Sequence, residues 1–424
     1  MIDKAIIKRL IVEYQQIAKN KKLLQRKHQF DVHSNYVLVG IRRAGKSFLL
    51  FQDVQQKIRE NVFSENDFIY LNFEDERLTN IQVQELDLIL ECFKELYPEK
   101  HPWLYLDEIQ LVEGWERFAR RIADQGYRVM ITGSNAKMLS NEIAATLGGR
   151  YIPHEVFLFS FKEFLEYKNV KLTDNWQFDR KKTALIRNYF DEYFCYGGFA
   201  ENFDREDKRE WLNALYQKIL LGDIIARNAV RTPRVFRLLA RKIAECIQQP
   251  MSQTRLHNVV ISTGENISLP VMKDYLDYMQ DAFLIFSVTN LSSPLSERAT
   301  TLKRYFADNG LLNLFFTSAE GKLLENIVAI TLFQKYYSAE ESQFYYYNKN
   351  IEIDFCIPKE NLAIQVALTM NDSVNYEREV SALEKFIAKN NLYKGIIITL
   401  DEERTIKTSS GNEFNVIPVW KWIL

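Results

Sequence analysis

At 424 residues the chain is too long for one hydrophobic core, and its length predicts two to four domains. Hydrophobic residues make up 47% and charged residues 26%, which is typical of folded proteins and excludes the disordered, collagen-like and low-complexity classes. The 55 basic and 56 acidic residues give a formal charge of -1, so a nucleic-acid partner would need a local basic surface.

The cysteines and the apolar runs bear on the compartment. The cysteines are far apart and fit neither a disulfide framework nor a zinc site; they are Cys92, Cys195, Cys246 and Cys356. Apolar runs such as Ile396–Leu400 are much shorter than the roughly 18 residues that a membrane span needs. The first ten residues contain no signal-peptide core. We therefore expect a soluble, cytoplasmic protein with no membrane partner.

The patterning along the chain predicts four segments. Residues 1–30 form a basic helical arm, and residues 31–165 alternate short strands with helices. Residues 166–300 are largely helical, and residues 301–424 return to a small α/β unit. The arm carries many basic side chains on a helical pattern of apolar residues, namely Lys4, Lys8, Arg9, Lys19, Lys21, Lys22, Arg26 and Lys27. It is either a solvated helix face or a nucleic-acid contact.

The second segment has the pattern of an α/β domain. Its apolar strands are YVLVG, FIYLNFE, WLYLDEIQ, RVMITGSN and YIPHEVFLF, separated by helical stretches. This alternation predicts a mostly parallel sheet with helices on both faces. Ser160 followed by Glu163 forms a capping box that opens the next helix.

A phosphate-binding loop follows the first of these strands. The motif G-x-x-x-x-G-K-[ST] is formed by Gly40, Ile41, Arg42, Arg43, Ala44, Gly45, Lys46 and Ser47. The glycines let backbone N–H groups turn toward phosphates, Lys46 reaches the β and γ phosphates, and Ser47 offers a hydroxyl to Mg²⁺. We expect one of Arg42 and Arg43 to face phosphate or an acidic group, and the other to face solvent.

Further polar residues follow two other strands. Asp107, at the end of WLYLDEIQ, would hold Mg²⁺, and Glu108 would orient and activate the attacking water. Ser134 and Asn135 end the segment RVMITGSN and, with Thr132, either bind the γ-phosphate or the lytic water, or form a turn that caps the next helix. Arg150 is either an arginine finger, acting in cis or in trans, or a solvated strand-end residue.

These motifs together resemble bacterial and archaeal AAA-type ATPases whose P-loop reads G-x-R-R-x-G-K-[ST] and whose Walker B strand ends in D-E-I-Q. Gly40–Ser47 and Asp107–Gln110 carry the resemblance, which continues through YLNFEDERL, ITGSNAKML, LGGRY and LFSFKEFL. The resemblance implies ATP as the nucleotide and a P-loop NTPase sheet. It also implies a winged-helix-like domain and then a nuclease-like unit.

The third segment contains a pattern typical of a winged helix. MSQTRLHNVV, a turn, and SLPVMKDYLDYMQDAFLIFSV predict two helices leading into a strand, with Ser268 capping the second. An earlier helix begins at Pro233 and places Arg234, Arg237 and Arg241 on one face. That face would suit duplex DNA, whereas the acidic second helix favours packing or protein docking.

The last segment is similar to restriction-endonuclease-type units but lacks part of their chemistry. Those nucleases use a strand Asp, a Glu-x-Lys on the next strand and often a helical Glu. Asp354 and Glu325 match, but Gln365 and Ala367 stand where the Glu and Lys are expected. Gln365 is a poor Mg²⁺ ligand, and Glu352 would have to redirect its side chain to replace it. We therefore predict a unit without nuclease activity.

The sequence as a whole predicts a Mg²⁺-dependent ATPase that acts as a nucleotide-driven switch, with Lys46, Asp107 and Glu108 at its centre. An alternative is a nucleotide-gated module that binds DNA or protein with little turnover. A third reading, an ATP-dependent nuclease, is disfavoured by Gln365 and Ala367. An oligomer is compatible with the sequence, because Arg150 would complete either its own site or a neighbour's.

Overall fold

The computed structural model describes residues 2–139, 141–294, 298, 300–336 and 343–424. The chain divides into two compact units, the first formed by residues 1–157 with 281–283 and the second by 158–280 with 284–424. This division places the first two predicted segments together and joins the last two. Within the residues described, no helix has both the length and the apolar character needed to cross a membrane.

The described part of the first unit contains a five-stranded parallel sheet in the order β2-β3-β4-β1-β5. Its strands are β1 (Asn35–Val39), β2 (Phe68–Asn72), β3 (Trp103–Asp107), β4 (Val129–Gly133) and β5 (Tyr151–Glu155). Its helices are α1 (Lys4–Asn20), α2 (Lys46–Arg59), α3 (Asp87–Leu96), α4 (Trp115–Asp124) and α5 (Asn141–Leu147). The predicted parallel α/β sheet is therefore confirmed.

Alternate residues of each strand face opposite sides of the sheet, and each side is covered by helices. On one side, Val37, Ile69 and Leu104 belong to a buried cluster that also contains apolar residues of α1, α3 and α4. On the other side, Tyr70 stacks on Phe51 of α2, with 4.7 Å between the ring centroids. The carboxyl ends of β2, β3, β4 and β1 lie at one edge of the sheet, which is where ligands bind in such folds.

The predicted basic arm is part of the first unit rather than a separate segment. Ile7, Leu10 and Ile11 of α1 are fully buried in the core that covers β2 and β3. The basic side chains on its outer face are paired, since Lys4 and Lys8 both reach Glu95 of α3, at 2.9 Å and 2.6 Å. An amphipathic helix is stable only when its apolar face is covered, so α1 packs against the sheet with that face buried.

The second unit begins with helices. They are α6 (Phe161–Tyr167), α7 (Arg180–Tyr196), α8 (Lys208–Lys218), which continues as a π-helix over Ile219–Ala226, α9 (Pro233–Glu245), α10 (Gln253–Ile261) and α11 (Leu269–Asp281). The predicted capping box is present, since the Ser160 hydroxyl accepts from the Glu163 N–H and the Glu163 carboxylate accepts from the Ser160 N–H. α9 begins at Pro233 as expected, but the Thr232 hydroxyl bonds to Tyr275 instead of capping the helix.

A three-stranded antiparallel sheet follows these helices. Its strands are β6 (Met251–Ser252), β7 (Ile285–Thr289) and β8 (Thr301–Phe306), in the order β6-β8-β7. Along the chain, α9, β6, α10, α11, β7 and β8 follow one another as helix, strand, helix, helix, strand, strand. A winged helix has the same order of elements.

The rest of the second unit is built on a mixed sheet of six strands in the order β13-β14-β12-β11-β10-β9. These are β9 (Tyr345–Asn348), β10 (Glu352–Ile357), β11 (Leu362–Val366), β12 (Lys394–Thr399), β13 (Arg404–Lys407) and β14 (Glu413–Pro418). The helices in this region are α12 (Asn309–Asn313), α13 (Glu320–Tyr336), α14 (Ser373–Lys389) and α15 (Val419–Trp422). Asp354 lies on β10 and Gln365 on β11, and these two strands lie side by side, as the resemblance implies.

Candidate nucleotide site

The P-loop connects β1 to α2 at the carboxyl edge of the sheet, and two glycines allow its tight course. Gly40 has φ +151°, and a Cβ at this position would lie 2.3 Å from the carbonyl oxygen of Val156. Gly45 has φ +98° and directly precedes α2. Because α2 begins at Lys46, the N–H groups of its first turn and its helix dipole are directed at the loop. The loop therefore has the backbone form of an anion-binding site.

Lys46 lies at the mouth of this loop and is only 4% exposed. Its ammonium donates to the carbonyl oxygens of Gly40 (2.9 Å) and Ile41 (3.2 Å) and lies 3.9 Å from the carboxylate of Glu108. Arg42 forms an ion pair of 3.0 Å with Glu74, whereas Arg43 is exposed. This division between the two arginines is the one that the sequence predicts.

Asp107 is buried at the end of β3, where two hydroxyl groups donate to its carboxylate. The Tyr70 hydroxyl donates to its Oδ2 at 2.6 Å and the Thr132 hydroxyl to its Oδ1 at 2.5 Å. Burial and the neighbouring charge of Glu108 raise the pKa of Asp107, and the hydroxyl groups of Thr132, Tyr70 and Ser47 oppose the shift. The predicted Mg²⁺ ligands Ser47 and Asp107 therefore lie close to each other.

Glu108 adopts a left-handed backbone conformation, with φ 54° and ψ 37°. Its N–H donates to the Thr132 hydroxyl at 2.9 Å, so the end of β3 is tied to β4. Its carboxylate accepts a hydrogen bond from the side-chain amide of Gln110. The Gln110 amide oxygen is itself buried without a hydrogen-bond partner, next to Gly133. A Cβ at position 133 would lie 2.6 Å from this amide oxygen, so the glycine leaves the room that the Gln110 side chain occupies beside Glu108.

The residues after β4 divide between two roles. Ser134 is 2% exposed and follows Gly133, which pairs with Val39 immediately before the P-loop. The side-chain Oδ1 of Asn135 accepts from the Lys137 N–H at 2.8 Å, and residues 136–139 form a short 3-10 helix. The structure therefore places Ser134 beside the loop, and Asn135 forms the turn that was the alternative for this segment.

Arg150 lies at the opposite edge of the sheet from the P-loop. It directly precedes β5, whose first residue Tyr151 pairs with Asn35 at the amino end of β1. Its guanidinium pairs with Asp124 and donates to the Gly148 carbonyl at 2.7 Å. A residue at the amino edge cannot reach phosphates at the carboxyl edge, so the predicted arginine finger in cis is incorrect. The alternative in trans stays a prediction.

The chemistry of the donor set agrees with Mg²⁺, which prefers oxygen ligands and takes few of them from the protein. The hydroxyl of Ser47 and the carboxylate of Asp107 are such oxygens. Among the described residues no group of three or more His, Cys, Asp and Glu side chains is arranged to hold a metal. A site that shares its ion with phosphate oxygens needs no such group.

Sequence reasoning missed two supporting residues. Tyr70 lies within an apolar strand, where a tyrosine is indistinguishable from a core residue until the neighbouring strand is known. Gln110 belongs to the quoted D-E-I-Q motif, but its contact with Glu108 depends on the turn after β3. The spacing of two residues between Glu108 and Gln110 is the only sequence signal for this contact.

The residues predicted outside the nucleotide site are distributed as follows. Arg234, Arg237 and Arg241 are exposed on α9, where Arg234 pairs with Glu265 at 2.8 Å and Arg241 with Glu245 at 3.4 Å. Ala367 is packed in a hydrophobic cluster. Glu325 and Asp354 come together, but around a residue that the sequence did not indicate, Lys303.

Comparisons with known proteins agree with the geometry of the first unit. Residues 33–165 match the family described as AAA domain, and residues 187–320 match a domain of unknown function, DUF8612. An uncharacterized protein of Methanocaldococcus jannaschii is 33% identical over 100% of this chain and 96% of its own length. An uncharacterized protein of Haemophilus influenzae is 30% identical over 92% of this chain and 94% of its own length. The chain belongs to the same family as these two proteins, and its residues 33–165 carry the match to the AAA domain.

Solved structures show weaker similarity to the chain. A Walker-type ATPase of Pyrococcus abyssi is 16% identical, with a TM-score of 0.39 over 74% of this chain and 96% of that chain. The ORC1 protein of Aeropyrum pernix, in complex with DNA, is 15% identical, with a TM-score of 0.27 over 78% and 94% of the two chains. The AAA domain is assigned from the family match over residues 33–165 and from the geometry of the site.

Proposed function

We propose that the AAA domain binds Mg-ATP and hydrolyses it, and that the nucleotide acts as a switch for the rest of the chain. The observation that supports this most strongly is the meeting of two predicted elements at one sheet edge. Lys46 and Ser47 come from the P-loop, and Asp107 and Glu108 come from the end of β3 and the turn after it. The Ser47 hydroxyl opposes the rise in the pKa of Asp107, and Lys46 lies 3.9 Å from Glu108.

The side chains have distinct roles in this proposal. Backbone N–H groups of Gly40–Ser47 and the ammonium of Lys46 bind the β and γ phosphates. Ser47 and Asp107 hold Mg²⁺, which supplies charge stabilisation at the phosphates when it is bound. Glu108 orients the attacking water and accepts its proton, and Ser134, which follows the strand β4 beside β1, binds the γ-phosphate or that water.

A second reading, a nucleotide-gated binding module with little turnover, is favoured by one contact. Gln110 donates to the Glu108 carboxylate, which engages the group that would accept the proton. On this reading ATP binds but is hydrolysed slowly, and the activity of the protein is to dock DNA or another protein. The exposed Arg234, Arg237 and Arg241 face of α9, in the element order of a winged helix, would be the DNA-contacting surface.

Steady-state ATP turnover of the full chain, with and without duplex DNA, separates the two readings. We expect Glu108→Gln to lower turnover at least about 100-fold while ATP binding is retained, because only the general base is removed. We expect Lys46→Ala to abolish both. Arg59→Ala, exposed at the other end of α2 from the loop, is the control.

If wild type binds ATP but Glu108→Gln does not change the turnover, Glu108 is not the base and the binding-module reading is preferred. DNA would then be tested by fluorescence anisotropy against a variant with Arg234, Arg237 and Arg241 all changed to Ala. Loss of DNA affinity only in that variant would support α9 as the contact. Unchanged affinity would leave a protein partner.

A further inference from the structure

The second unit contains a buried charge cluster that the proposed function does not use. The side chain of Lys303 on β8 is 0% exposed, and its ammonium contacts three carboxylates. These are Asp354 of β10 at 3.1 Å, Glu325 of α13 at 3.3 Å and Glu352 of β10 at 3.5 Å. The four residues, here named the Lys303 cluster, adjoin a cleft of about 1080 Å³ whose lining includes Glu325, Glu352 and Asp354.

The cluster stands where a nuclease-like unit would bind its metal. Of the carboxylates that the resemblance implies, the strand Asp354 and the assisting helical Glu325 are present, and both lie beside Lys303. Each of them is already paired with the same ammonium group. The second oxygen of Asp354 accepts the N–H of Val366 at 2.9 Å, so both oxygens of this carboxylate are used.

Gln365, the residue in place of the nuclease Glu, is also turned away from a metal-binding role. Its amide oxygen accepts the N–H of Asp354 at 2.9 Å, and its amide nitrogen donates to the carbonyl of Glu352 at 3.2 Å. Both polar groups of the side chain therefore brace the backbone of β10. In the described part of the chain no set of three acidic, histidine or cysteine side chains has a metal-binding arrangement. These residues do not fit a bound Mg²⁺.

The charges of the cluster are arranged around the ammonium. Burial alone would lower the pKa of Lys303, but the charges of Glu325, Asp354 and Glu352 raise it above the ordinary value, so the lysine is charged. Tyr305 adds a hydrogen bond of 2.7 Å to Glu325. The nitrogen is thus surrounded by oxygen atoms on β10 and α13, as a metal ion would be.

We propose that the Lys303 ammonium is the resident cation of this site and takes the place of a divalent metal ion. The C-terminal unit thereby keeps the carboxylates of a nuclease-like centre but binds no Mg²⁺ or Mn²⁺ between them. The cluster also connects β8, α13 and β10, so the lysine has the structural role that a metal ion has elsewhere.

Mn²⁺ binding to the full chain without nucleotide, followed by electron paramagnetic resonance, tests this proposal. Metal at the cluster is defined as the Mn²⁺ that is lost on Asp354→Asn. We expect wild type and Asp354→Asn to bind the same amount of Mn²⁺. Lys303→Ala removes the ammonium and leaves room for an ion. We therefore expect this variant to bind about one equivalent of Mn²⁺ more than wild type. That equivalent should disappear in the double variant Lys303→Ala, Asp354→Asn.

The matched control is Lys385→Ala, since Lys385 lines the same cleft but lies outside the cluster. It should bind Mn²⁺ as wild type does. Loss of one Mn²⁺ from wild type on Asp354→Asn would overturn the proposal and restore the metal-dependent nuclease reading. A folded Lys303→Ala that gains no Mn²⁺ would also overturn it. If Lys303→Ala does not fold by circular dichroism, the comparison of wild type with Asp354→Asn decides the question alone.

Discussion

The two units each contain a buried lysine next to carboxylates, and the difference between the two sites is instructive. Lys46 is 4% exposed, donates to two loop carbonyl oxygens and lies 3.9 Å from one carboxylate. Lys303 is 0% exposed and has three carboxylates within 3.5 Å. The charge of Lys303 is balanced by its own chain, whereas Lys46 is positioned to attract an anion. Burial of a lysine does not by itself indicate a ligand; the neighbours of the ammonium do.

Replacing each lysine with methionine should give opposite results. Removal of one partner from a buried ion pair costs about 3 to 5 kcal/mol, because the remaining charges stay buried without a counter-ion. We therefore expect Lys303→Met to lose about that much unfolding free energy at neutral pH, and Lys46→Met less than about 1 kcal/mol. Only Lys46→Met should lose ATP binding. Urea denaturation and ATP titration measure both properties.

Lys385→Met is the control for loss of a lysine near the cleft, and it should be neutral. If Lys303→Met were as stable as wild type, the three carboxylates would have to be protonated or solvated, and the contrast between the two lysines would fail. The loss in Lys303→Met should become smaller at pH 5, because carboxylates left without the ammonium take up protons.

The carboxylates around the Lys303 cluster should make stability depend on pH. Burial, assisted by the charge of Asp354, raises the pKa of Glu379 to about 7, although Arg378 opposes the shift. Between pH 4.5 and 7 the folded chain then holds a proton that the unfolded chain has lost, so unfolding free energy falls as pH rises through this range. We expect Glu379→Gln to reduce that fall by about 1 to 3 kcal/mol.

Chemical denaturation at pH 5 and pH 8 measures this effect. Glu377→Gln is the matched control, since Glu377 is the exposed neighbour on the same helix α14. An unchanged pH dependence in Glu379→Gln would mean that Arg378 keeps the Glu379 carboxylate ionised in the folded chain. Arg378 and Glu379 would then form a second ion pair in which both side chains are charged.

The proposed nucleotide site offers a matched pair of tyrosines on one face of its sheet. The hydroxyl of Tyr70 donates to Asp107 at 2.6 Å, and that of Tyr105 donates to Asp53 at 2.7 Å, away from the P-loop. Residues that orient a metal ligand typically contribute about 10-fold or more to metal affinity. We expect Tyr70→Phe to raise the Mg²⁺ concentration for half-maximal ATP turnover about 10-fold, and Tyr105→Phe to leave it unchanged.

Turnover at saturating Mg²⁺ should recover to within a few-fold of wild type in Tyr70→Phe, because the carboxylate itself remains. A loss of turnover that Mg²⁺ does not restore would place Tyr70 in the chemical step instead. An equal effect in both tyrosine variants would mean that the hydroxyl groups matter only for packing of the sheet.

The parallel sheet of the first unit and the residues at its carboxyl edge could be predicted from short local motifs. The P-loop and the strand ending in Asp107 are short and contiguous, and parallel strands bring their carboxyl ends to one edge without further information. The prediction that Arg150 acts in cis was wrong because this residue precedes β5 and lies at the amino edge of the sheet. Its position depends on how β5 pairs with β1, which the sequence does not give.

The Lys303 cluster could not be predicted, because its members come from different elements. Lys303 belongs to none of the sequence motifs and lies on β8, 22 residues before Glu325 and 51 residues before Asp354. Its partners were identified only by resemblance to a metal site, and no spacing rule indicates that a lysine from another sheet would enter that site. Gln365 likewise looked like a lost ligand, whereas it braces the backbone of β10.

Arg42 provides the smallest test of the comparison, since it is intermediate between the two lysines. It lies in the P-loop, as Lys46 does, but it forms a 3.0 Å ion pair with Glu74, which is partly exposed. Exposed ion pairs contribute about 0.2 to 1 kcal/mol, so Glu74 offsets the charge of the guanidinium only in part.

We expect Glu74→Ala to raise ATP affinity about 2-fold and Arg42→Ala to lower it about 2-fold. Arg59→Ala, exposed at the other end of α2 from the loop, should change neither affinity nor turnover. A fall in affinity with Glu74→Ala would mean that the ion pair shapes the loop rather than competing with phosphate for the arginine.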